Sequence, residues 1–438
     1  MIARRTFLTL TSAGIALGAL AACSKSSGGG SAGGADSVEV FTWWAQGSEK
    51  AGLDALVKVF NEQNPKIKFV NGSVAGGAGS AAKDMLQSRL QTKNPPDTFQ
   101  AHAGGELTDY INAGQIEDVS GLYDEFDLRK AFPDSLVELL TVDGKIYSVP
   151  SNIHRSNVVW ASAAVLEKAG IDPKAVPETF DAWLADLEKA KAAGVTALSL
   201  AAPWTQVNLL EAVLMSHLGA DAYNGLFDGS TDWAGAEVAT AIAAFEKLVS
   251  YTNSDRDSLD WPEATALVID EKAAYNVMGD WAVAEFDMKG KKYNVDYTAF
   301  AVPGKEVVYD FLADSFTLPT GTKNPEATKD WLRFVGSADA QSTFNKIKGS
   351  IPARTDVKPD GFSTYQQTAM KDFKEVPIVS SIAHGAAVSL AWSSEINTAM
   401  SKFYQDIIQK RREEGTSDTG HDMIRALMEQ TYKNGRQI

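Results

Sequence analysis

A chain of 438 residues, 44% apolar and 22% charged, has material for two or three cores of ordinary domain size and is too apolar to be disordered throughout. Its 56 acidic against 41 basic side chains, a net charge of −15, weigh against a nucleic-acid-binding face, which needs clustered Lys and Arg, and favour a neutral or small ligand. One cysteine and five histidines exclude an internal disulfide and any Cys-based zinc or iron–sulfur site, so no metal and no other cofactor is expected.

The chain opens with Arg4 and Arg5, an apolar stretch from Phe7 to about Ala22, and the small pair Ala21-Ala22 before Cys23. This reads as an export signal over residues 1–22, too short and too interrupted by Thr9, Thr11 and Ser12 for a permanent membrane span. Leu20-Ala21-Ala22-Cys23 resembles a bacterial lipobox, which makes Cys23 the lipidation site; the paired arginines resemble a twin-arginine signal, with the general secretory route left open. Residues 23–36, mostly Ser, Gly and Ala, are expected to tether a folded body to that lipid.

In the body, Val38 to Trp44 has the pattern of a strand entering a core, Leu53, Leu56, Val57 and Phe60 recur at helical spacing, and Ile67, Phe69 and Val70 suggest a second strand. Such a unit lays down parallel strands, and Trp43 and Trp44 fall at the carboxyl end where ligands collect on open α/β sheets. Gly76 to Gly79 lead into a helix bearing Met85, Leu86 and Leu90, but the spacing matches neither phosphate-binding motif. A short strand is expected to end at His102, another at Pro150, a helix to start after Thr179 with Trp183 and Leu187 inward, and a strand to cover Ala197 to Leu200. No low-complexity linker divides Asp36 to Ile438, so the domains are expected to be interleaved, with strand extensions as hinges.

The chain has no Gly-x-Ser-x-Gly elbow and no His-Glu-x-x-His, while Asp255-Arg256-Asp257 fails as a calcium loop beyond its second ligand. A carboxylate pair remains open among so many acids, which keeps a surface glycoside hydrolase or lyase as the alternative function. Ten tryptophans stand out, several at turns: Trp43, Trp44, Trp204 and Trp281. Indole stacks on the C–H face of a pyranose while neighbouring polar groups hold its hydroxyls, so these turns point to a sugar; Trp160, Trp183 and Trp331 read as core. Asp314, between two apolar runs, must be paired or hydrogen-bonded.

Seven segments in order carry a resemblance: Trp43-Trp44 with Glu49, Phe99 to Gly104, Asn152 to Asn157, Asn276 to Trp281, Asp314-Ser315-Phe316, Lys348 to Ile351 and His384-Gly385. Together they resemble the extracellular sugar-binding proteins of bacterial ATP-driven importers, and among these the glucose- and galactose-binding members. The resemblance implies a periplasmic-binding-protein-like fold: two α/β lobes with three hinge crossings and a central ligand cleft. The lobes would be 37–150 with 315–348, and 151–310 with 352–438. Trp44 and Trp281 would stack on the ring, with Trp43 an equal candidate, while Glu49, Gln100, His102, Asp314, Lys348 and His384 hold hydroxyls; Trp204, Asn152 and His154 are further candidates. It implies a non-enzymatic monomer, anchored by lipid on the outer face of the cytoplasmic membrane, that passes glucose or galactose to the importer's transmembrane subunits.

Overall fold

Val38 and Val40 point into the core from strand Ser37–Phe41, which runs parallel to Lys68–Asn71 on one side and to Thr98–His102 on the other. Helix Gly47–Gln63 connects the first two and buries Leu53, Leu56 and Phe60, so the β-α-β reading of this segment holds. The first strand ends at Phe41, three residues earlier than the apolar run suggests. There the Trp44 N–H donates to Thr42 Oγ1 (3.2 Å) and the Ala45 N–H to the Trp43 carbonyl (2.8 Å), turning the chain out of the sheet and presenting both indoles beyond its edge. The computed structural model describes residues 37–75, 80–388, 395, 396 and 398; the export signal, Cys23, the tether and the glycines at 76–79 lie outside the described residues.

Two more strands, each paired antiparallel to its neighbour, complete the first sheet, whose order is Lys68–Asn71, Ser37–Phe41, Thr98–His102, Asp314–Thr317, Ser148–Pro150. A second sheet of four strands runs in the order Tyr297–Ala301, Val158–Ser162, Ala273–Val277, Thr196–Ser199. A third, of three strands, orders Ile378–Ser380, Tyr309–Leu312, His154–Arg155. Each large sheet carries helices, giving two α/β lobes, and the chain passes between them in three places. It goes from Ser148–Pro150 to His154–Arg155, returns from Tyr309–Leu312 to Asp314–Thr317, and leaves helix Ala338–Lys348 through Ile351, which bridges to Ile153.

Local signals place several elements as the sequence suggests. Thr179 caps helix Phe180–Ala192 by accepting from the Ala182 N–H at 3.2 Å, and Trp183 and Leu187 are fully buried beneath it. Trp160, Trp183 and Trp331 are all core residues. Trp331 packs its ring against Phe60, Phe69, Phe316 and Phe334 at 5.1–5.9 Å, fastening the helices of the first lobe to its sheet. Replacing it with Ala is expected to cost about 3–5 kcal/mol, the usual penalty for emptying a buried aromatic site. Urea unfolding should show this as a lower midpoint with an unchanged slope.

Candidate functional site

The three crossings bring residues far apart in sequence to one point. Strand Asp314–Thr317 pairs with Thr98–His102 so that Asp314 lies opposite His102, and the Ser151 N–H donates to the Asp314 carbonyl at 2.9 Å. Asp314 accepts from Gln100 Nε2 on one oxygen (2.8 Å) and from Asn152 Nδ2 on the other (2.9 Å), while its own N–H donates to Asn152 Oδ1 (3.1 Å). His102 Nε2 and His154 Nε2 each approach a carboxylate oxygen at 3.6 Å. The pairing demanded of a carboxylate between apolar runs is met by two amides, one on the strand Thr98–His102 and one within the first crossing.

Around Asp314 lies a small cavity of about 30 Å³, lined by Trp43, Trp44, Glu49, His102, His154, Trp204, Trp261, Trp281, Leu312, Lys348 and His384. Of the ten residues expected at the site, nine line this cavity. Gln100 does not; its amide is committed to Asp314, and its carbonyl oxygen accepts from Thr42 Oγ1 and the Trp43 N–H. Asn152, a further candidate, likewise lies behind Asp314. The two adjacent indoles differ. Trp44 is fully buried with its ring on Phe344 (4.5 Å) and Phe316 (5.6 Å), whereas Trp43 lies against His102 at 5.0 Å.

Trp261 and Leu312 are lining residues that no sequence pattern singles out as ligand contacts. A local signal for Trp261 is nonetheless present: Asp260 and Glu263 form a capping box at the start of helix Trp261–Ile269, as a short polar residue followed three positions later by Glu can do.

On the opposite wall, Trp281 precedes helix Ala282–Met288, with its ring 5.1 Å from His154, 5.2 Å from His384 and 6.3 Å from Trp204. Lys348 at the end of helix Ala338–Lys348 reaches Glu49 Oε1 at 3.3 Å and lies 5.8 Å over the Trp281 ring. His384 arrives on a turn that only glycine permits: the Gly105 and Glu106 N–H groups donate to the carbonyls of Ala386 and Gly385 (3.1 and 2.9 Å). Gly104 has φ +105°, and a Cβ there would stand 2.3 Å from the Ala386 oxygen.

The charges are balanced inside the protein. Burial pushes the Glu49 carboxyl up to about 7, against the pull of Lys348. Burial also raises Glu106, but Lys83 at 2.9 Å and His102 at 2.7 Å outweigh it and leave that carboxyl below its usual value. His154 and Asp280 are in contact, and burial drives the imidazole well below and the carboxyl well above their ordinary values, favouring the neutral form of each. Burial keeps His384 neutral as well, with His102 adding to the effect. Its Nε2, with Trp44 Nε1 and Trp204 Nε1, is buried and has no hydrogen-bond partner among the described residues. Among the described residues no cluster of three His, Cys, Asp or Glu is spaced to hold a metal ion.

A cavity at the junction of two α/β lobes, walled by indoles and supplied with polar atoms unpaired among the described residues, has the make-up of a site for a small polar molecule. Residues 44–342 match the model of the bacterial extracellular solute-binding protein family. The chain belongs to that family. An uncharacterized ABC transporter extracellular-binding protein of Pyrococcus horikoshii is 38% identical to this solute-binding protein over 369 residues, 83% of each chain. The xylose/arabinose-binding protein XacG of Haloferax volcanii is 31% identical over 80% of this chain and 77% of its own. A solved chitin oligosaccharide binding protein superposes with a TM-score of 0.78 at 18% identity, covering 93% of this chain and all of that one, a likeness of fold. No helix of the described residues is long and apolar enough to cross a membrane.

Beneath the His384 turn, the solute-binding protein buries two carboxyls face to face. Glu211 accepts from Ser381 Oγ (2.8 Å) and from the Ile382 and Ala383 N–H groups (2.6 and 3.1 Å), so it holds the turn that carries His384. Asp310 accepts from Ser156 Oγ and turns its other oxygen to Glu211. Burial, with Glu211 beside it, holds Asp310 well above its ordinary value as the proton donor; burial also pushes Glu211 up to about 7, against the hydrogen bonds from the turn. Both carboxyls are raised on folding. The pair therefore stabilises the protein fully below about pH 3.8, the ordinary Asp value, and the part owed to Glu211 is lost as pH rises through about 7. Asp310→Asn supplies a permanent N–H to Glu211 and still accepts from Ser156. Thermal unfolding from pH 5 to 8 should show the variant gaining on the wild type as pH rises, whereas parallel profiles would contradict a shared proton. Asp310→Ala, which strands both partners, is expected to cost about 1–3 kcal/mol at every pH.

Proposed function

We propose that this chain is the sugar-capturing component of an ABC importer, closing its two lobes on one pyranose, glucose first and galactose next, and presenting the closed form to the transmembrane subunits. One observation carries the reading. The cavity combines indole faces at Trp43, Trp204 and Trp281 with buried polar atoms that lack a partner among the described residues, at Trp44, Trp204 and His384. An apolar solute would leave those atoms unpaired, and an ion would not use the indoles. A cavity this small favours one ring over a chain of rings. The sugar named for the Haloferax relative is of the same size class.

In this reading Trp281 and Trp43 stack on the ring, while Glu49, His102, Asp314, Lys348 and His384 bind hydroxyls. Gln100 acts by holding Asp314. The lobes comprise 37–150 with 315–348 and 151–310 with 352–438. The protein is a monomer, exported through its signal and anchored at Cys23, which keeps it near the importer. It carries out no reaction. A hydrolase using Glu49 as acid and Asp314 as its partner is the competing reading, favoured by the raised Glu49 carboxyl.

Calorimetric titration with glucose, galactose, xylose, cellobiose and maltose tests the proposal. Glucose or galactose at a thousand times Kd should stabilise the protein by about 4 kcal/mol. Trp281→Ala and Asp314→Ala should each weaken binding by at least about thirtyfold, roughly 2 kcal/mol. No response to any sugar would remove the reading, and release of new reducing ends from a disaccharide would transfer it to the hydrolase.

A further inference from the structure

A second cavity, of about 290 Å³, shares no lining residue with the one around Asp314. The third sheet separates the two. On strand Tyr309–Leu312, Leu312 lines the first cavity, whereas its neighbour Phe311 lies 6.1 Å from the ring of Phe373, which lines the second. On His154–Arg155, His154 lines the first cavity, while Arg155 reaches Asp372 at 2.8 Å, on the helix Thr364–Glu375 that walls the second. Successive side chains of a strand point to opposite faces, so the second cavity lies behind the crossings, away from the cleft. Three parts of the fold enclose it. Pro133 follows a run of short helices fastened to the first sheet, where Tyr123 Oη donates to the Ser148 carbonyl at 2.8 Å. Residues Ile351 to Thr355 belong to the third crossing, tied to that run by the Thr355 N–H donating to the Ala131 carbonyl at 2.8 Å. Met370 and Phe373 come from helix Thr364–Glu375, which rests on the third sheet with Phe373 5.3 Å from Tyr309.

Pro133, Ile351, Ala353, Val357, Met370 and Phe373 make its walls largely apolar. The charged lining residues are Arg354, Lys371, Lys374 and Glu375, three cations to one acid in a chain whose net charge is −15. Arg354 is already committed: Asp356 accepts from its Nε and Nη2 at 2.8 and 2.7 Å, and the Gly336 carbonyl from its Nη1 at 2.9 Å. The lysines are not. Lys371 has Glu375 at 3.6 Å, with both side chains exposed, a pairing that holds neither in place. Lys374 has no ion-pair partner among the described residues. Met370, Lys371 and Lys374 are spaced to share one helix face, so an apolar contact and two ammonium groups are presented together.

We infer that this cavity is a second binding site, for a small organic carboxylate with an apolar body, its charge met by Lys371 and Lys374 and its body set against Ile351, Met370 and Phe373. The site does not rest on the sugar reading. A cation would be repelled by the two ammonium groups, an inorganic anion would gain nothing from the apolar walls, and a neutral sugar would leave the lysines unanswered. Because its walls come from both lobes, an occupant is held by the arrangement in which Pro133 and helix Thr364–Glu375 face each other across the third crossing. In that same arrangement Glu285 accepts the Ser48 N–H across the lobes at 3.0 Å. A ligand that prefers this arrangement to one with the lobes apart favours closure, so the carboxylate and the ligand of the cleft raise each other's affinity by the same factor.

Calorimetric titration of the full chain with octanoate, and with octylammonium as its cationic counterpart, decides it. The proteins are the wild type, the double variant Lys371→Glu with Lys374→Glu, and Met370→Trp, with unfolding in the absence of ligand as the control for folding. The wild type should bind a single octanoate, and octylammonium at least about tenfold more weakly. The double variant, changed only at exposed positions, should weaken octanoate by at least about tenfold, and Met370→Trp, which fills the cavity with a larger side chain, should abolish it. Saturating octanoate should tighten glucose or galactose by at least about threefold, with the same factor returned to octanoate by the sugar. No heat with octanoate, equal binding of the two ions, or either variant binding octanoate as the wild type does would overturn the inference. Octanoate that binds as expected and leaves sugar affinity unchanged or weaker overturns the coupling through both lobes. A chain that binds octanoate and no sugar upholds this site and removes sugar capture alone.

Discussion

Asp314 is gripped by two amides, Gln100 on one oxygen and Asn152 on the other, and the rest of the site depends on the need to keep a carboxylate paired where no bulk water reaches it. Gln100 comes from a strand of the first sheet and Asn152 from the crossing that leaves that sheet. Their grip sets the register in which the returning strand enters, with Asp314 opposite His102 and Phe316 opposite Gln100. The backbone reinforces that register, since Asn152 Oδ1 also accepts the Asp314 N–H and Ser151 donates to the Asp314 carbonyl. A carboxylate so held presents its oxygens in a fixed direction, and a ligand hydroxyl meeting it loses no energy to reorganisation.

The same economy governs the surrounding charges. Lys348 faces Glu49, His102 and Lys83 face Glu106, and His154 contacts Asp280, so each ionisable group brought to the cavity wall arrives with a partner. Buried pairs of this kind add little net stability relative to apolar packing, but breaking one is costly. Their worth lies in specificity. Three balanced groups and a set of indoles leave a cavity suited to hydroxyls, and three atoms without partners among the described residues, at Trp44, Trp204 and His384, are capable donors.

Much of this is legible from local sequence. Trp43 and Trp44 have to lie at a strand end because the apolar run preceding them is a strand's length and Gly47 opens the next helix. Trp281 has to begin a helix because Gly279-Asp280 breaks the strand before it. The core tryptophans, the cap at Thr179 and the pairing required of Asp314 can be read in the same way. What cannot be read depends on contacts between distant segments. Gln100 has the chemistry of a hydroxyl binder, but its amide is taken up by a residue 214 positions away, which no local pattern reports. Trp44 has the position of a stacking face, but Phe344 and Phe316 cover it. Trp261 escapes notice because its run, Leu259-Asp260-Trp261-Pro262, carries a helix-start signal that accounts for it without a ligand. The Glu211–Asp310 pair joins residues on two elements whose proximity exists only once the third sheet has formed.

Closure itself has a contribution that belongs to the protein alone. Helix Gly47–Gln63 starts without a side-chain cap from Gln46, and Glu285, on a helix after the second sheet's Ala273–Val277 strand, supplies one by accepting the Ser48 N–H at 3.0 Å. Gly47, at φ +54°, admits that approach, since a Cβ there would lie 2.6 Å from the Glu285 oxygen. A carboxylate on the first turn of a helix is favoured by unpaired N–H groups and by the helix dipole, by about 0.3–1 kcal/mol near a surface. The cap joins the lobes through residues outside the cavity lining, so it lowers the free energy of the closed form uniformly and tightens every ligand by the same factor. Discrimination between ligands must then come from the cavity wall. Affinity and selectivity are thus set by different residues, the first adjustable at Glu285 and Gly47 without touching the second.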